Sequence, residues 1–243
     1  MHAVGSIGKI SFVVPVFNEE GNISQLLDEV GSTAGKLGFP YEILLVDDGS
    51  SDGTLSAIKE KAATMPEVKY VSFSANRGQS AALYAGFQNA AGDTIITLDG
   101  DLQNDPSDIP AMIALYGEYD MVNGWRHDRK DTLSKKIGSW IGNTFRNGMT
   151  GETIRDTGCS LKVMRASMLK RIKMYRGLHR FLPTLMRLEG ARVIEVKVSH
   201  RPRVRGESKY SNLRRGIEGF QDVLAVRWMI RRNVSLPVRE SNV

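Results

Sequence analysis

Thr94-Ile95-Ile96-Thr97-Leu98-Asp99-Gly100-Asp101-Leu102-Gln103-Asn104-Asp105-Pro106 passes from an apolar, β-branched run of strand length straight into acids, amides and a proline. Two carboxylates one residue apart at a strand end can hold Mg²⁺ or Mn²⁺, with diphosphate oxygens completing the shell. A cation held there would neutralise charge on a departing nucleoside diphosphate without any proton donor. A D-x-D triplet on its own is more often a solvated turn, so its weight depends on the segments around it.

Upstream, further strand-like runs at 10–16, 42–46 and 69–73 alternate with helix-like segments at 22–37, 52–63 and 79–90. This alternation predicts βαβ units around a mainly parallel central sheet flanked by helices, an α/β fold. Such sheets bind ligands beyond the carboxyl ends of their strands. The first strand runs into Pro15-Val16-Phe17-Asn18-Glu19-Glu20, and the second ends in Val46-Asp47-Asp48-Gly49-Ser50-Ser51-Asp52-Gly53. Adjacent carboxylates before a glycine turn suit hydrogen bonding to a base or ribose, although a capped turn explains each segment equally well in isolation. No G-x-x-x-x-G-K-[ST] loop is present, and acids stand where a dinucleotide fold would place G-x-G-x-x-G. Beyond Val122 the pattern loosens, with helices expected at 135–146 and 181–188 and strands at 160–164 and 193–199. No linker divides the chain, which reads as one catalytic domain over 1–200 and a basic segment over 201–243.

Hydrophobic residues make up 41% and charged residues 25% of the 243, enough apolar material to bury a core and to argue against global disorder. The single cysteine, Cys159, excludes an internal disulfide framework, and the four histidines lack zinc-ligand spacing. With neither a signal-peptide pattern nor an apolar run long enough to span a bilayer, a cytoplasmic setting is expected. The net charge of +6 is a C-terminal feature, because ten basic and four acidic residues follow His200. That excess points to an anionic partner.

Taken together, Pro15–Glu20, Asp47–Asp52, Asn76-Arg77-Gly78 and Asp99–Gln103 resemble the family 2 glycosyltransferases. Within them, the polyprenyl-phosphate transferases of the dolichol-phosphate mannose synthase and undecaprenyl-phosphate kinds are the most similar, over roughly residues 9–210. The resemblance implies a GT-A fold and transfer of a sugar from a nucleoside-diphosphate sugar to a polyprenyl phosphate, with inversion. It implies that Pro15, Glu19, Val46 and Asp48 hold the nucleoside, that Asp99, Gly100, Asp101 and Gln103 meet the nucleotide sugar, and that Asp99, Asp101 and Gln103 organise the Mg²⁺ or Mn²⁺. Arg126 matches an arginine near the donor diphosphate. Asp156, in Asp156-Thr157-Gly158-Cys159-Ser160-Leu161-Lys162, matches an aspartate beside the acceptor. Arg203-Val204-Arg205-Gly206-Glu207-Ser208-Lys209-Tyr210 resembles a loop closing over phosphates, with Arg203 and Lys209 as its cations.

After that loop, Leu213, Ile217, Phe220, Leu224 and Trp228 recur at helical spacing, widened by Val223, Val226 and Ile230 and accompanied by five arginines. This predicts a C-terminal amphipathic helix lying on a membrane surface, or one packed on the domain or a second subunit. Many similar enzymes continue into transmembrane helices after this segment. The expectation here is peripheral association or reliance on a separate membrane subunit. Rival readings are a family 2 transferase acting on a saccharide hydroxyl and a non-catalytic sugar-nucleotide-binding membrane scaffold. Nucleic acid is not an expected partner, since the basic excess is confined to the C-terminal segment.

Overall fold

The computed structural model describes residues 7–127, 133–202 and 212–234. In chain order its elements are β1 (Ile10–Val16), α1 (Ile23–Leu37), β2 (Tyr41–Asp47), α2 (Thr54–Thr64), β3 (Val68–Ser72), α3 (Gln79–Asn89), β4 (Thr94–Thr97), α4 (Ile109–Leu115) and β5 (Met121–Arg126). There follow α5 (Leu133–Thr150), β6 (Lys162–Arg165), α6 (Ala166–Leu169), α7 (Leu182–Leu188), β7 (Val193–Val198) and α8 (Asn212–Arg232). The strands form one seven-stranded sheet in the order β3-β2-β1-β4-β6-β5-β7. All neighbours are parallel except β6, which runs antiparallel to both β4 and β5.

The pleat sends alternate residues to opposite faces, and each face carries its own core. Ile10, Phe12, Val14 and Val16 of β1 pack with Ile23, Leu26, Leu27 and Val30 of α1, with Ile58 of α2 and with Met112 of α4. Positions 23, 26, 27, 30 and 34 make up the buried stripe of α1, which stops at Gly38 in the left-handed region, φ 74°. On the opposite face Val13, Leu44, Val46 and Ile95 meet α3, α6, α7 and α8. Here α3 approaches β1 so closely that a Cβ on Gly86 would lie 2.3 Å from Val13 Cγ1.

Two features of this fold create the site. The carboxyl ends of β1, β2, β4 and β5 share one rim. Because β6 runs the other way, the segment before it, residues 156–161, opens on that same rim. The expected helices and strands of the first half are present, within a residue or two at their ends. Strand β5 and helix α4 are additions that the apolar pattern did not announce.

The C-terminal helix is divided along its length. Val223 and Val226 are buried in the second core, while Phe220, Leu224 and Trp228 stay exposed, Trp228 at 65%. Phe220 stacks on Phe145 of α5 at 5.5 Å, Arg227 donates to Met149 O at 3.0 Å, and Asp222 pairs with Arg180 at 2.9 Å. One edge of the helix therefore belongs to the domain, and the neighbouring edge forms an aromatic ridge. Leu213 and Ile217 lie outside the residues whose side chains are described. No helix among the described residues is long and apolar enough to cross a membrane.

Candidate active site

The loops after β1 and β2 are laced together. Asn18, held at φ 54°, donates its N–H to Ser50 Oγ at 2.9 Å and accepts from Ser51 N at 2.8 Å. Glu19 donates its N–H to Thr54 Oγ1 at 2.8 Å, and its carboxylate receives Asn22 Nδ2 at 2.6 Å. The Asp48 carboxylate accepts from Asn76 Nδ2, Arg77 N and Gly78 N at 3.0, 2.7 and 2.8 Å, so it shapes the turn that precedes α3. Asp47 is similarly occupied, with Ser50 N at 3.0 Å and Ser72 Oγ at 2.8 Å. Pro15 is half-buried beside Val46 in register, and the Val46 side chain is wholly buried in the second core, so only its main chain faces the rim.

At the end of β4, Asp99 is half-buried and receives Gln79 Nε2 at 3.0 Å, while its N–H donates to Asn104 Oδ1 at 3.0 Å. Asn104 also accepts from Ser160 Oγ at 2.7 Å. Asp101 is buried and accepts from Gln103 N at 3.2 Å. Burial and the neighbouring Asp101 charge push the Asp99 carboxyl above its ordinary range, against the pull of Ser160, Arg126 and Lys162. Gly100 packs against β1, where a Cβ would meet Val16 Cγ1 at 2.7 Å, and Leu102 takes φ 62°. Gln103 reaches residue 201 by two bonds, Arg201 N to Gln103 O at 2.9 Å and Gln103 Nε2 to Arg201 O at 3.4 Å. Arg201 itself pairs with Asp105 at 2.8 Å and Glu29 at 2.6 Å.

Among the described residues no group of three or more acidic, histidine or cysteine side chains gathers as a cage. Two carboxylates one residue apart at a strand end, the first half-buried beside the charge of the second, fit the other coordination mode, in which few protein oxygens and those of a bound diphosphate would share a divalent ion.

From β5, Arg126 extends to meet Asp156 in a forked pair, Nε to Oδ2 at 2.7 Å and Nη2 to Oδ1 at 2.9 Å, with Arg126 N to Oδ2 at 3.2 Å. Burial alone would lift the Asp156 carboxyl. The hydrogen bonds and charge of Arg126, helped by Lys162, more than reverse this and leave it below the usual carboxylate range. The same pairing raises Arg126 despite its own burial. Lys162 is buried beneath the loop with Nζ donating to Thr157 O and Cys159 O, and burial lowers its pKa. Arg126 and Lys162 both act on Asp99, which joins this pair and the D-x-D acids in one electrostatic unit.

The residues expected from sequence thus converge on one rim, apart from Arg203 and Lys209, which lie outside the described residues. Gln79, Asn104, Ser160, Lys162 and Arg201 belong to the same constellation without having been singled out. A polar hollow of about 650 Å³ beside α1, lined by Gln25, Asp28, Glu29, Asp105 and Arg201, contains none of Asp99, Asp101, Arg126 or Asp156. It is a neighbour of the site.

The family model described as Glycosyl transferase family 2 matches residues 11–173. The chain belongs to this family. A dodecaprenyl-phosphate galacturonate synthase from Rhizobium johnstonii is 40% identical over 229 residues, covering 92% of this chain and 68% of that protein. An undecaprenyl-phosphate 4-deoxy-4-formamido-L-arabinose transferase from Proteus mirabilis is 38% identical over 217 residues, 88% of this chain and 66% of that protein. The chain spans about two thirds of the length of these curated relatives. Among solved structures, a Pyrobaculum calidifontis mannosyltransferase in complex with GDP-Man and Mn²⁺ is 18% identical, with TM-score 0.64 over 97% of this chain and 68% of that one. The glucosyl-3-phosphoglycerate synthase of Mycobacterium tuberculosis, in complex with Mn²⁺ and UDP-glucose, gives 18% and 0.66 over 95% and 81%. These likenesses establish the fold of this family 2 glycosyltransferase as GT-A.

Proposed function

We propose that this glycosyltransferase moves a sugar, with inversion, from a nucleoside-diphosphate donor to the phosphate of a polyprenyl lipid at the cytoplasmic membrane face. The observation that carries the reading is the forked Arg126–Asp156 pair standing in the same electrostatic unit as the D-x-D acids. The names of the relatives at 38–40% identity support the lipid phosphate as acceptor.

In this reading Glu19, Asp48 and Pro15 frame the nucleoside, Asp48 through the 76–78 turn and Val46 through its main chain. Asp99 and Asp101, with Gln103 beside them, hold Mg²⁺ or Mn²⁺. When bound, that ion supplies neutralisation of the diphosphate charge. A phosphate monoester has a second pKa of about 6, so near neutral pH the acceptor is largely a dianion and already nucleophilic. One of its oxygens forms a bond to the anomeric carbon as the bond from that carbon to the donor diphosphate breaks, and the nucleoside diphosphate leaves with the electron pair. Asp156 takes no proton in this step, because a carboxylate locked to Arg126 below its ordinary range is a poor base. It fixes the guanidinium instead, committing Nε and Nη2 and leaving Nη1 to face an anionic oxygen. A saccharide hydroxyl would need a base, and the state of Asp156 argues against that acceptor. Arg203 and Lys209 complete the phosphate contacts in this proposal.

The acceptor's tail requires a lipid surface, and the ridge of Phe145, Phe220, Leu224 and Trp228 beside Arg227, Arg231 and Arg232 matches an anionic one. A separate membrane subunit is the other means of presenting the lipid. The deciding assay combines the protein, a panel of sugar nucleotides, Mn²⁺ or Mg²⁺ and polyprenyl phosphate in anionic liposomes. A glycolipid formed with protein alone is the expected product. Transfer only to a saccharide hydroxyl overturns the acceptor assignment, and transfer only after membrane extract is added assigns presentation to another subunit.

A further inference from the structure

Between α5 and β6 the chain carries Asp156 on a segment that has almost no main-chain partners of its own. From Ile154 O to Asp156 O, each main-chain polar group is bound by a side chain, and the main-chain bond found there is the long one that Asp156 O accepts from Cys159 N at 3.3 Å. Ile154 O receives Arg146 Nη2 at 2.8 Å and Asn147 Nδ2 at 3.3 Å. Arg155 N donates to Glu195 Oε2 at 3.0 Å, and Arg155 O receives Asn143 Nδ2 at 2.9 Å. Asp156 N donates to Glu195 Oε1 at 2.9 Å, and Asp156 O receives the wholly buried Asn123 Nδ2 at 3.1 Å. Arg146 Nη1 also reaches Thr157 Oγ1 at 2.7 Å. The Arg155 guanidinium lies over the Trp125 ring, 4.5 Å from its centre.

Such an arrangement is expensive. Arg146 is a buried cation on α5 whose bonds go to amide, hydroxyl and carbonyl oxygens, and its Nε has no acceptor among the described residues. A buried charge of that kind destabilises unless its bonds are satisfied, so the guanidinium is retained for what it grips. What it grips is the loop that presents Asp156 to Arg126, a pair whose forked geometry tolerates little displacement.

We propose that Glu195 and Arg146 are positioning residues of the transfer reaction: between them they hold the 154–157 loop so that Asp156 can set the Arg126 guanidinium against the reacting phosphates. Neither touches the substrates in this assignment, and it rests on the glycosyl-transfer reading above. Misplacing a catalytic group by about 1 Å costs on the order of 10²-fold in rate. In that reading the nucleoside is held from the other side of the rim, by the β1 and β2 loops. Loosening the cradle therefore lowers kcat and leaves the donor KM in place.

The test compares Glu195→Gln, Asp156→Asn and the double variant, in steady-state turnover with a short polyprenyl phosphate. Glutamine keeps the shape of residue 195 and can leave its oxygen where Oε1 accepts from both amides, but its NH₂ group then opposes the Arg155 N–H in place of Oε2, and the negative charge is lost. The expected result is a kcat lower by about 10- to 100-fold in Glu195→Gln, a donor KM within about twofold of wild type, and a double variant no slower than Asp156→Asn alone. Arg146→Lys, which keeps the charge and loses the fork, should follow the same pattern, and if it fails to fold the Glu195 series stands by itself. Wild-type kcat in Glu195→Gln beside an impaired Asp156→Asn overturns the proposal, as does a double variant whose losses multiply. Full activity in Asp156→Asn removes the role given to that aspartate above, and the cradle with it.

Discussion

Replacing Asp156 by Asn tests the forked pair as a structural element, independently of turnover. The two side chains are only 17% and 12% exposed, and three hydrogen bonds of 2.7, 2.9 and 3.2 Å end on the carboxylate. Breaking a buried pair by removing one partner costs about 3–5 kcal/mol, because the other charge stays buried without compensation. Asparagine keeps one acceptor oxygen, so the lower end, about 3 kcal/mol at pH 7, is expected. With a urea m-value of about 3 kcal/mol/M, the unfolding midpoint falls by about 1 M. The pH dependence has a definite sign. The folded carboxyl titrates below its unfolded value of about 3.9, so its contribution is present above that pH and is lost as pH falls through the folded value. Urea titrations of the two proteins between pH 7 and pH 4 should give a constant gap down to about pH 5, narrowing only near and below about pH 4. A gap under about 0.5 kcal/mol at pH 7 would place Asp156 among ordinary surface carboxylates and refute the argument. A gap already closing between pH 7 and pH 6 would contradict the downward displacement of its pKa.

Asp101→Ala should cost at least about 10²-fold in turnover at saturating Mn²⁺, and near-normal turnover there would dismiss the D-x-D as a metal site. Trp228→Asp or Leu224→Asp should abolish sedimentation with anionic liposomes and leave thermal stability within about 0.5 kcal/mol. Val226→Asp, on the buried edge of the same helix, should instead destabilise by about 3 kcal/mol or more; equal melting temperatures for all three would refute the division of α8. Gly49 sits at φ 70° with a Cβ position 2.5 Å from Ala75 C, so Gly49→Ala combines left-handed strain with backbone overlap. A loss of about 6–10 °C in Tm is expected, and weaker binding of nucleoside diphosphate should be seen by calorimetry.

The first four strands were legible because strands buried on both faces read as continuous β-branched runs, and the acids that follow them are where such sheets put ligands. Strand β5 escaped notice because Asn123 and Gly124 interrupt its apolar pattern. Both have structural reasons, since Asn123 is wholly buried on the Asp156 loop and a Cβ at Gly124 would lie 2.9 Å from Cys159 Sγ and Leu161 O. Arg126 and Asp156 were each identifiable by resemblance. Their pairing was not, because thirty residues separate them and Arg155 and Lys162 are nearer candidates in the chain. Glu195 carries no signal of this role in the sequence, where it stands as one polar residue among the apolar ones of Val193-Ile194-Glu195-Val196-Lys197-Val198. A trace of the cradle was available in Asn143, Arg146 and Asn147, polar residues spaced three and four apart on an otherwise amphipathic helix.

Strand β6 is the one element that runs against its neighbours, and it sits between β4 and β5. It acts as a seam, with the loops after β1, β2 and β4 on one side of it in the sheet order and Arg126, at the end of β5, on the other. A seam of this kind lets the two halves diverge separately. Under the proposed function, exchange of the β5-to-β7 block between related enzymes, cut in the chain between β4 and β5, would change the acceptor while keeping the donor.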